Sequence, residues 1–231
     1  ASQLAEREAA TWHARERARR RARGLMTSVY RALRSADLSP RLLSPPDKGY
    51  VYALPLVSRT VAAELYHFFT DEFRGWRTET DAFGRQARAT AYFGDEGTLF
   101  SYVGLTLRPK AWPTHRALTA ARQRADLIAA AHGTRITSCL ANHYGAGSDS
   151  IPWHSDEVRA HGDAKLVLSL SLGGERRMLL RPKRAGSEGR GDGVLALTLP
   201  PGTAVAMAGA AQDYWEHSLP LDSRAAPRRV S

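Results

Sequence analysis

Beyond Gly133 the sequence changes its hydrophobic period. From Ile136 to Tyr144, Leu166 to Leu172, Met178 to Leu180, Val194 to Leu199 and Ala204 to Met207, apolar residues alternate with polar or small ones, the pattern of strands with one face buried. Gly and Pro separate these runs, so residues from about 134 to 231 read as a sandwich or barrel of short strands. Leu166, Leu168, Leu170 and Leu172 fall on one face of their strand, Ser169 and Ser171 on the other. Before Gly133 the period is helical. Ser58 can cap a helix running to about Phe73 with Val61, Leu65, Phe68 and Phe69 inward, and Arg116 to Ala131 predicts another, with Gly133 as its C-cap. Helices followed by strands make this an α+β chain.

The first 34 residues form a third helical stretch, from about Gln3 to Arg34, with Leu25, Met26, Val29, Tyr30 and Leu33 at helical spacing, so that its C-terminal half should dock on the body. It carries nine Arg against Glu6, Glu8 and Glu16, and so supplies +6 of the net +10 of the chain. Arg15, Arg17, Arg19, Arg20, Arg21 and Arg23 suit attraction to phosphates; the same run could also be a solvated helix face. Pro40, Pro45 and Pro46 mark a linker. The expected division is a basic helical extension with linker over 1–46 and one main domain over 47–231. With 231 residues and 43% hydrophobic content, one sizeable core is the natural expectation.

Cys139 is the only cysteine, which excludes an internal disulfide and thiolate-metal clusters, and leaves His and carboxylate for any metal chemistry. Ile151-Pro152-Trp153-His154-Ser155-Asp156-Glu157 contains His-x-Asp; in extended backbone, period two sends His154 and Asp156 to the same side. His217, 63 positions beyond His154, is the best third ligand. Two His and a carboxylate on one face suit non-haem iron(II), and zinc tolerates the same set. His-x-Asp alone also occurs in surface turns. The support lies in the preceding strand, where Asn142 and Tyr144 share a face with Leu140, and in Arg229, whose guanidinium fork fits a ligand carboxylate.

Together the blocks Asn142-His143-Tyr144, His154-Ser155-Asp156-Glu157, Leu168-Ser169-Leu170-Ser171-Leu172-Gly173, His217-Ser218-Leu219-Pro220 and Pro227-Arg228-Arg229-Val230 resemble the AlkB family of iron(II)- and 2-oxoglutarate-dependent dioxygenases. Tyr92-Phe93-Gly94-Asp95 and the run Gly104 to Pro113 are similar to its DNA-repair branch. The resemblance implies a double-stranded β-helix, or jelly roll, with supporting N-terminal helices and a nucleotide-recognition region at about 74–115. It implies iron(II) on His154, Asp156 and His217, the catalytic centre, with O2 and 2-oxoglutarate as co-substrates, the latter held by Asn142, Tyr144 and Arg229. Phe100 and Val103 would line a base pocket, Glu157 would sit over a flipped base, Arg88 would lie on the substrate rim, and Phe83 would be an aromatic wedge at a loop tip. Two departures stand out. His143 replaces the family's Arg, on the side of the strand facing away from the pocket, and the family continues past the position of Ser231 through a strand bearing a second Arg.

The activity implied is oxidative demethylation of N-alkylated bases of the 1-methyladenine and 3-methylcytosine type, with decarboxylation of 2-oxoglutarate and release of formaldehyde. Nucleic acid is the expected partner, DNA before RNA, of a monomer acting in the nucleus of a eukaryote or otherwise in the cytoplasm. No run approaches the eighteen or so apolar residues of a membrane span. The alternatives are an RNA demethylase, a related enzyme acting on protein or lipid, a zinc hydrolase with Glu157 as general base, and a non-catalytic nucleic-acid-binding module. His13, His67, His115, His132 and His161 read as ordinary surface residues, Trp112 and Trp215 as core anchors, and Cys139 as a small hydrophobe. The Gly-rich loop Arg184 to Gly193 lacks the Gly-Lys-Ser/Thr of a phosphate cradle.

Overall fold

The computed structural model describes residues 2–33, 41–44, 48–102, 104–145, 149–156, 166–183, 193–221 and 228–231. Val103, Glu157, His161 and the loop 184–192 lie outside them, as do the side chains of Tyr30 and Leu33.

In chain order the elements begin with helix α1 (Ser2–Leu33) and strands β1 (Arg41–Leu42) and β2 (Tyr50–Pro55). Helix α2 (Arg59–His67) follows, then strands β3 (Thr80–Asp81), β4 (Gly84–Arg85), β5 (Ala89–Gly94), β6 (Phe100–Tyr102) and β7 (Leu105–Leu107). After α3 (Arg116–Ala131) come β8 (Ser138–Tyr144), β9 (Ile151–His154), β10 (Leu166–Leu170), β11 (Leu172–Gly173), β12 (Arg176–Pro182), β13 (Leu195–Leu199) and β14 (Thr203–Ala208). A short helix α4 (Ala211–Tyr214), β15 (Trp215–Leu219) and β16 (Arg229–Val230) complete the chain.

The helices form where local chemistry favours them. Ser58 is extended and its hydroxyl accepts from the Val61 amide, starting α2. After His67 the helix widens into a π turn, Phe68–Glu72, closed by the Phe73 amide on the Phe68 carbonyl at 2.8 Å. The widening is where Phe69 and Phe73 both join Trp76 and Phe93 in an aromatic cluster, and Trp76 Nε1 donates to the Phe69 carbonyl at 2.9 Å. Helix α3 has the limits its sequence predicts. Its end turns at Gly133 with φ +71°.

The strands build two stacked layers. One runs β1-β2-β14-β10, and β11-β16-β8-β5 continues it; the join is the stretch 166–173, which leaves β14 and takes up β16 on either side of Ser171. Gly173 makes this switch possible: its φ is +76°, and a Cβ there would meet the Tyr66 ring at 2.4 Å. The opposing layer is β13-β12-β15-β9. Period two decides the core. Tyr52, Leu54, Ala204 and Ala206 pack with α2, α3 and Val29 of α1, whereas Val51, Val205 and Met207 pack with Met178, Leu180 and Trp215 of the opposing layer. This is the jelly roll expected.

Helix α1 lies against α3 with Ala22 and Val29 buried and Leu25 and Met26 half-buried, so its C-terminal half docks. The stretch read as a linker contributes β1 to the sheet, Arg41 opposite Ala53 and Leu42 opposite Tyr52. Trp215 is buried in the core and Trp112 packs at its edge. Burial pushes the Cys139 thiol up to about 11, which leaves it unreactive at neutral pH. Two histidines differ from expectation. His132 lies 2.7 Å from the Tyr52 hydroxyl, and burial pulls its pKa down to about 4; His115 stacks on Phe68 with Nδ1 buried. Both sit beyond the ends of α3, where folding over the aromatic core covers them. Among the described residues no helix is long and apolar enough to cross a membrane.

Candidate active site

His154 ends β9, and His217 stands in the middle of β15. These strands are antiparallel neighbours with His217 directly opposite His154, so residues 63 apart in sequence meet through one ladder. Asp156 follows two residues after His154 and turns to the same side. Its two oxygens lie 3.8 Å from His154 Nε2 and from His217 Nε2. The three ligand atoms all lie within 4.8 Å of one another, a spacing at which one ion can bond to all three.

Neighbouring groups orient two of the three side chains. His154 Nδ1 is 2.9 Å from the Pro152 carbonyl; a carbonyl only accepts, so Nδ1 carries the proton and Nε2 offers its lone pair. Gln212 of α4 holds Asp156 from both ends, donating from Nε2 to Oδ2 at 3.2 Å and accepting the Asp156 amide at 2.9 Å. Ser155 ties the end of β9 to the Trp215 carbonyl at 2.7 Å. Burial, opposed by Asp156, draws the His217 pKa down to about 4. The imidazole is therefore neutral at physiological pH, the form that binds metal.

The second cluster comes from β8 and β16. Arg229, opposite Tyr144 in register, is 2% exposed. Its Nη2 donates to Ser171 Oγ at 2.8 Å, but Nε and Nη1 are buried with no hydrogen-bond partner among the described residues. A buried guanidinium with two donors unspent is costly unless an anion completes it. Burial lowers its pKa to about 10, so it stays cationic and keeps its fork for a carboxylate. Burial also raises the Tyr144 phenol, which stays a neutral hydroxyl. Asn142 pairs with Ser231 through both backbone groups, and its Oδ1 accepts from Arg88 Nε at 2.6 Å. Arg88, expected on the rim, thus reaches the Asn142 end of the pocket. His143 points away, its ring 5.2 Å from Trp76.

One cavity of about 710 Å³ joins both clusters to a set of aromatic rings. Phe100 lines it, 5.7 Å from Tyr92 and 5.1 Å from Tyr102 between ring centroids. Phe83 reaches it from the tip of the β3–β4 hairpin, 91% exposed. The turn is closed by Asp81 Oδ1 on the Phe83 amide at 2.8 Å, and Gly84 takes φ +118°. Val103 and Glu157 lie outside the described residues. Sequence reasoning missed Gln212, Ser171 and Gln86, each of which has a partner 56, 58 or 16 positions away. For Ser171 there was a signal, a face shared with Ser169 opposite the Leu face of its stretch.

A model of the 2OG-Fe(II) oxygenase superfamily matches residues 61–230. The DNA oxidative demethylase ALKBH2 of Homo sapiens is 28% identical over 184 residues, covering 76% of this chain and 69% of that protein. The alpha-ketoglutarate-dependent dioxygenase alkB homolog 3 of Homo sapiens is 29% identical over 164 residues, covering 68% of this chain and 55% of its own length. The chain thus spans between about half and two thirds of these relatives. Among solved structures, OsALKBH1 superposes with a TM-score of 0.52 at 13% identity, covering 83% of this chain and 97% of that one, a likeness of fold.

Proposed function

Because the chain belongs to the 2OG-Fe(II) oxygenase superfamily, as an AlkB-type dioxygenase near the DNA-repair branch, we propose that it demethylates N-alkylated bases in DNA, with His154, Asp156 and His217 holding the iron. The observation that carries this reading is the meeting, in one cavity, of a two-His, one-carboxylate cluster with a buried guanidinium whose donors are largely unspent. A zinc hydrolase would have no use for the second feature. Asn142, Tyr144 and Arg229 are the residues suited to 2-oxoglutarate: Arg229 for a carboxylate, Tyr144 with a neutral hydroxyl, and Asn142 held by Arg88. Iron(II), 2-oxoglutarate and O2, once bound, supply the oxidation that hydroxylates an N-methyl group and yields succinate and carbon dioxide.

The protein's own part is placement. Gln212 fixes the Asp156 carboxylate, the Pro152 carbonyl fixes the His154 tautomer, and the aromatic wall at Phe100 and Tyr102 offers ring faces to a flat base. Val103 and Glu157 are assigned to the same pocket from the sequence. A base within a duplex cannot reach the cavity, so the nucleotide is flipped or already single-stranded. The product adduct then loses formaldehyde. The decisive experiment is formaldehyde and succinate release from oligonucleotides carrying 1-methyladenine or 3-methylcytosine, as DNA and as RNA, with iron(II) and 2-oxoglutarate supplied. Equimolar release from DNA supports the proposal; faster turnover of RNA transfers the reading to an RNA demethylase, and release from neither sinks it. A monomer acting where the cell keeps its DNA, the nucleus in a eukaryote and the cytoplasm otherwise, completes it.

Phe83 suits the role of a wedge, being almost fully exposed on a two-residue turn at the edge of the cavity. Flipping a base leaves a gap in the stack, and unstacking costs on the order of a few kcal/mol, which an inserted ring offsets. Phe83→Ala is expected to slow repair of a methylated base in duplex DNA by about tenfold or more while sparing the same base in a single strand. Equal losses on both substrates would mean a folding defect.

The basic helix α1 suits a phosphate-binding role. Arg15, Arg17, Arg19, Arg20, Arg21 and Arg23 are all exposed. Because Ala22 is buried, substitution of these six Arg by Gln is a cleaner test than truncation. Binding should weaken alike for all sequences, and the slope of affinity against salt should shrink by about 0.9 for every duplex phosphate that is no longer neutralised. An unchanged slope would make α1 a structural element only.

A further inference from the structure

We propose that Gln86 is a positioning residue that couples the Phe83 hairpin to the wall of the base pocket; this rests on the wedge reading of Phe83. Gln86 lies just beyond β4 and is 8% exposed, although its neighbours Arg85 and Ala87 are exposed. Its backbone amide donates to the Glu79 carbonyl at 2.9 Å, closing the base of the hairpin. Its side-chain Nε2 donates to Asp81 Oδ2 at 3.1 Å and to the Tyr102 hydroxyl at 2.8 Å. Asp81 in turn accepts the Phe83 amide on Oδ1. A continuous path of hydrogen bonds therefore runs from the tip, through Asp81 and Gln86, to Tyr102 on β6, beside Phe100.

The orientation of the amide is fixed by its partners. The Asp81 carboxylate only accepts, so it faces Nε2 rather than Oε1. Both amide hydrogens are then committed, and Oε1 is left buried with no partner among the described residues. A buried acceptor without a donor detracts from stability. The side chain therefore adds less to stability than its two bonds suggest, and its effect lies in where it holds the two hairpins. β3–β4 and β6–β7 are separate two-stranded sheets, and Gln86 links them side chain to side chain. With this link in place, the ring that fills the stack and the wall that receives the base keep a fixed separation.

The test is a double-mutant cycle of Phe83→Ala and Gln86→Leu, scored as the ratio of duplex to single-strand turnover and with thermal stability measured for each variant. Leu preserves the volume and removes the unpaired acceptor, while Asp81 and the Tyr102 hydroxyl lose a donor. These effects oppose one another, so Tm is expected to change little, while the ratio falls by about three- to tenfold, the range that corresponds to one net hydrogen bond. In the Phe83→Ala background, Gln86→Leu should have no further effect on the ratio. A ratio unmoved by Gln86→Leu but lowered by Phe83→Ala overturns this inference alone. A loss that persists in the Phe83→Ala background overturns it too, since Gln86 would then act on the base directly. If Phe83→Ala leaves the ratio unmoved, the wedge reading fails, and the coupling fails with it.

Discussion

His154→Ala, Asp156→Ala and His217→Ala should each abolish turnover and iron binding together while leaving a folded protein. The three ligand atoms lie within 4.8 Å of one another, close enough to share one ion, so each variant removes a third of the protein's hold on it. The loss should exceed the roughly 10- to 100-fold that removal of an outer partner costs at metal sites. Gln212→Ala, which removes both hydrogen bonds to Asp156, supplies that comparison and should fall inside the range. Stability is expected to hold, because the three side chains line a cavity rather than fill the core, and His217 Nδ1 has no hydrogen bond among the described residues to forfeit. Metal content by elemental analysis, melting temperature and formaldehyde release separate the possibilities. Any one variant retaining wild-type iron content and rate would falsify the assignment.

Arg229→Ala is expected to raise the requirement for 2-oxoglutarate far more than that for oligonucleotide. A charge-assisted pair contributes about 1.5–3 kcal/mol, which corresponds to roughly a ten- to hundredfold change in apparent affinity. Ser171 is the hydrogen-bond partner that the guanidinium has among the described residues, so most of its donor capacity is kept for a ligand. Lys should rescue only partly, since an ammonium cannot present two parallel donors. Arg229→Met should not lower the melting temperature, because a buried cation with unspent donors adds little to stability and an apolar side chain of similar volume replaces it without that penalty. Titration of 2-oxoglutarate at saturating oligonucleotide reads the effect directly. An unchanged requirement would move the carboxylate site to another cation, such as Arg228.

Much of this protein was legible in its sequence because the signals are local. Ser58 and Gly133 limit helices by their own backbone preferences, and α3 has the predicted limits. Alternation marked β8, β10, β12 and β13 as apolar against polar residues, and β14 as small against large ones, because both faces of β14 are buried and its Ala face meets the helices while Val205 and Met207 fill the space between the layers. His154 and Asp156 could be paired from period two alone, and Asn142 with Tyr144 for the same reason. β2 and β5 were not seen. β2 is buried against helices on one face and against the opposing layer on the other, and β5 is buried at all but its first residue, so neither shows an alternation of wet and dry faces.

What only the tertiary structure decided is adjacency across the ladders and layers. His217 meets His154 because β15 pairs with β9, and Arg229 reaches the cavity because β16 inserts between β11 and β8. Gln212, Ser171 and Gln86 hold or complete the site through partners 56, 58 and 16 positions away. His132 reads as a surface residue on its own, and becomes half-buried because Tyr52, 80 positions earlier, folds over it. Backbone geometry fixes which way a side chain points within its own strand, so a sequence can announce the ligand types and their local faces. Which strands become neighbours depends on closing long loops around a shared core, and that balance belongs to the folded chain as a whole.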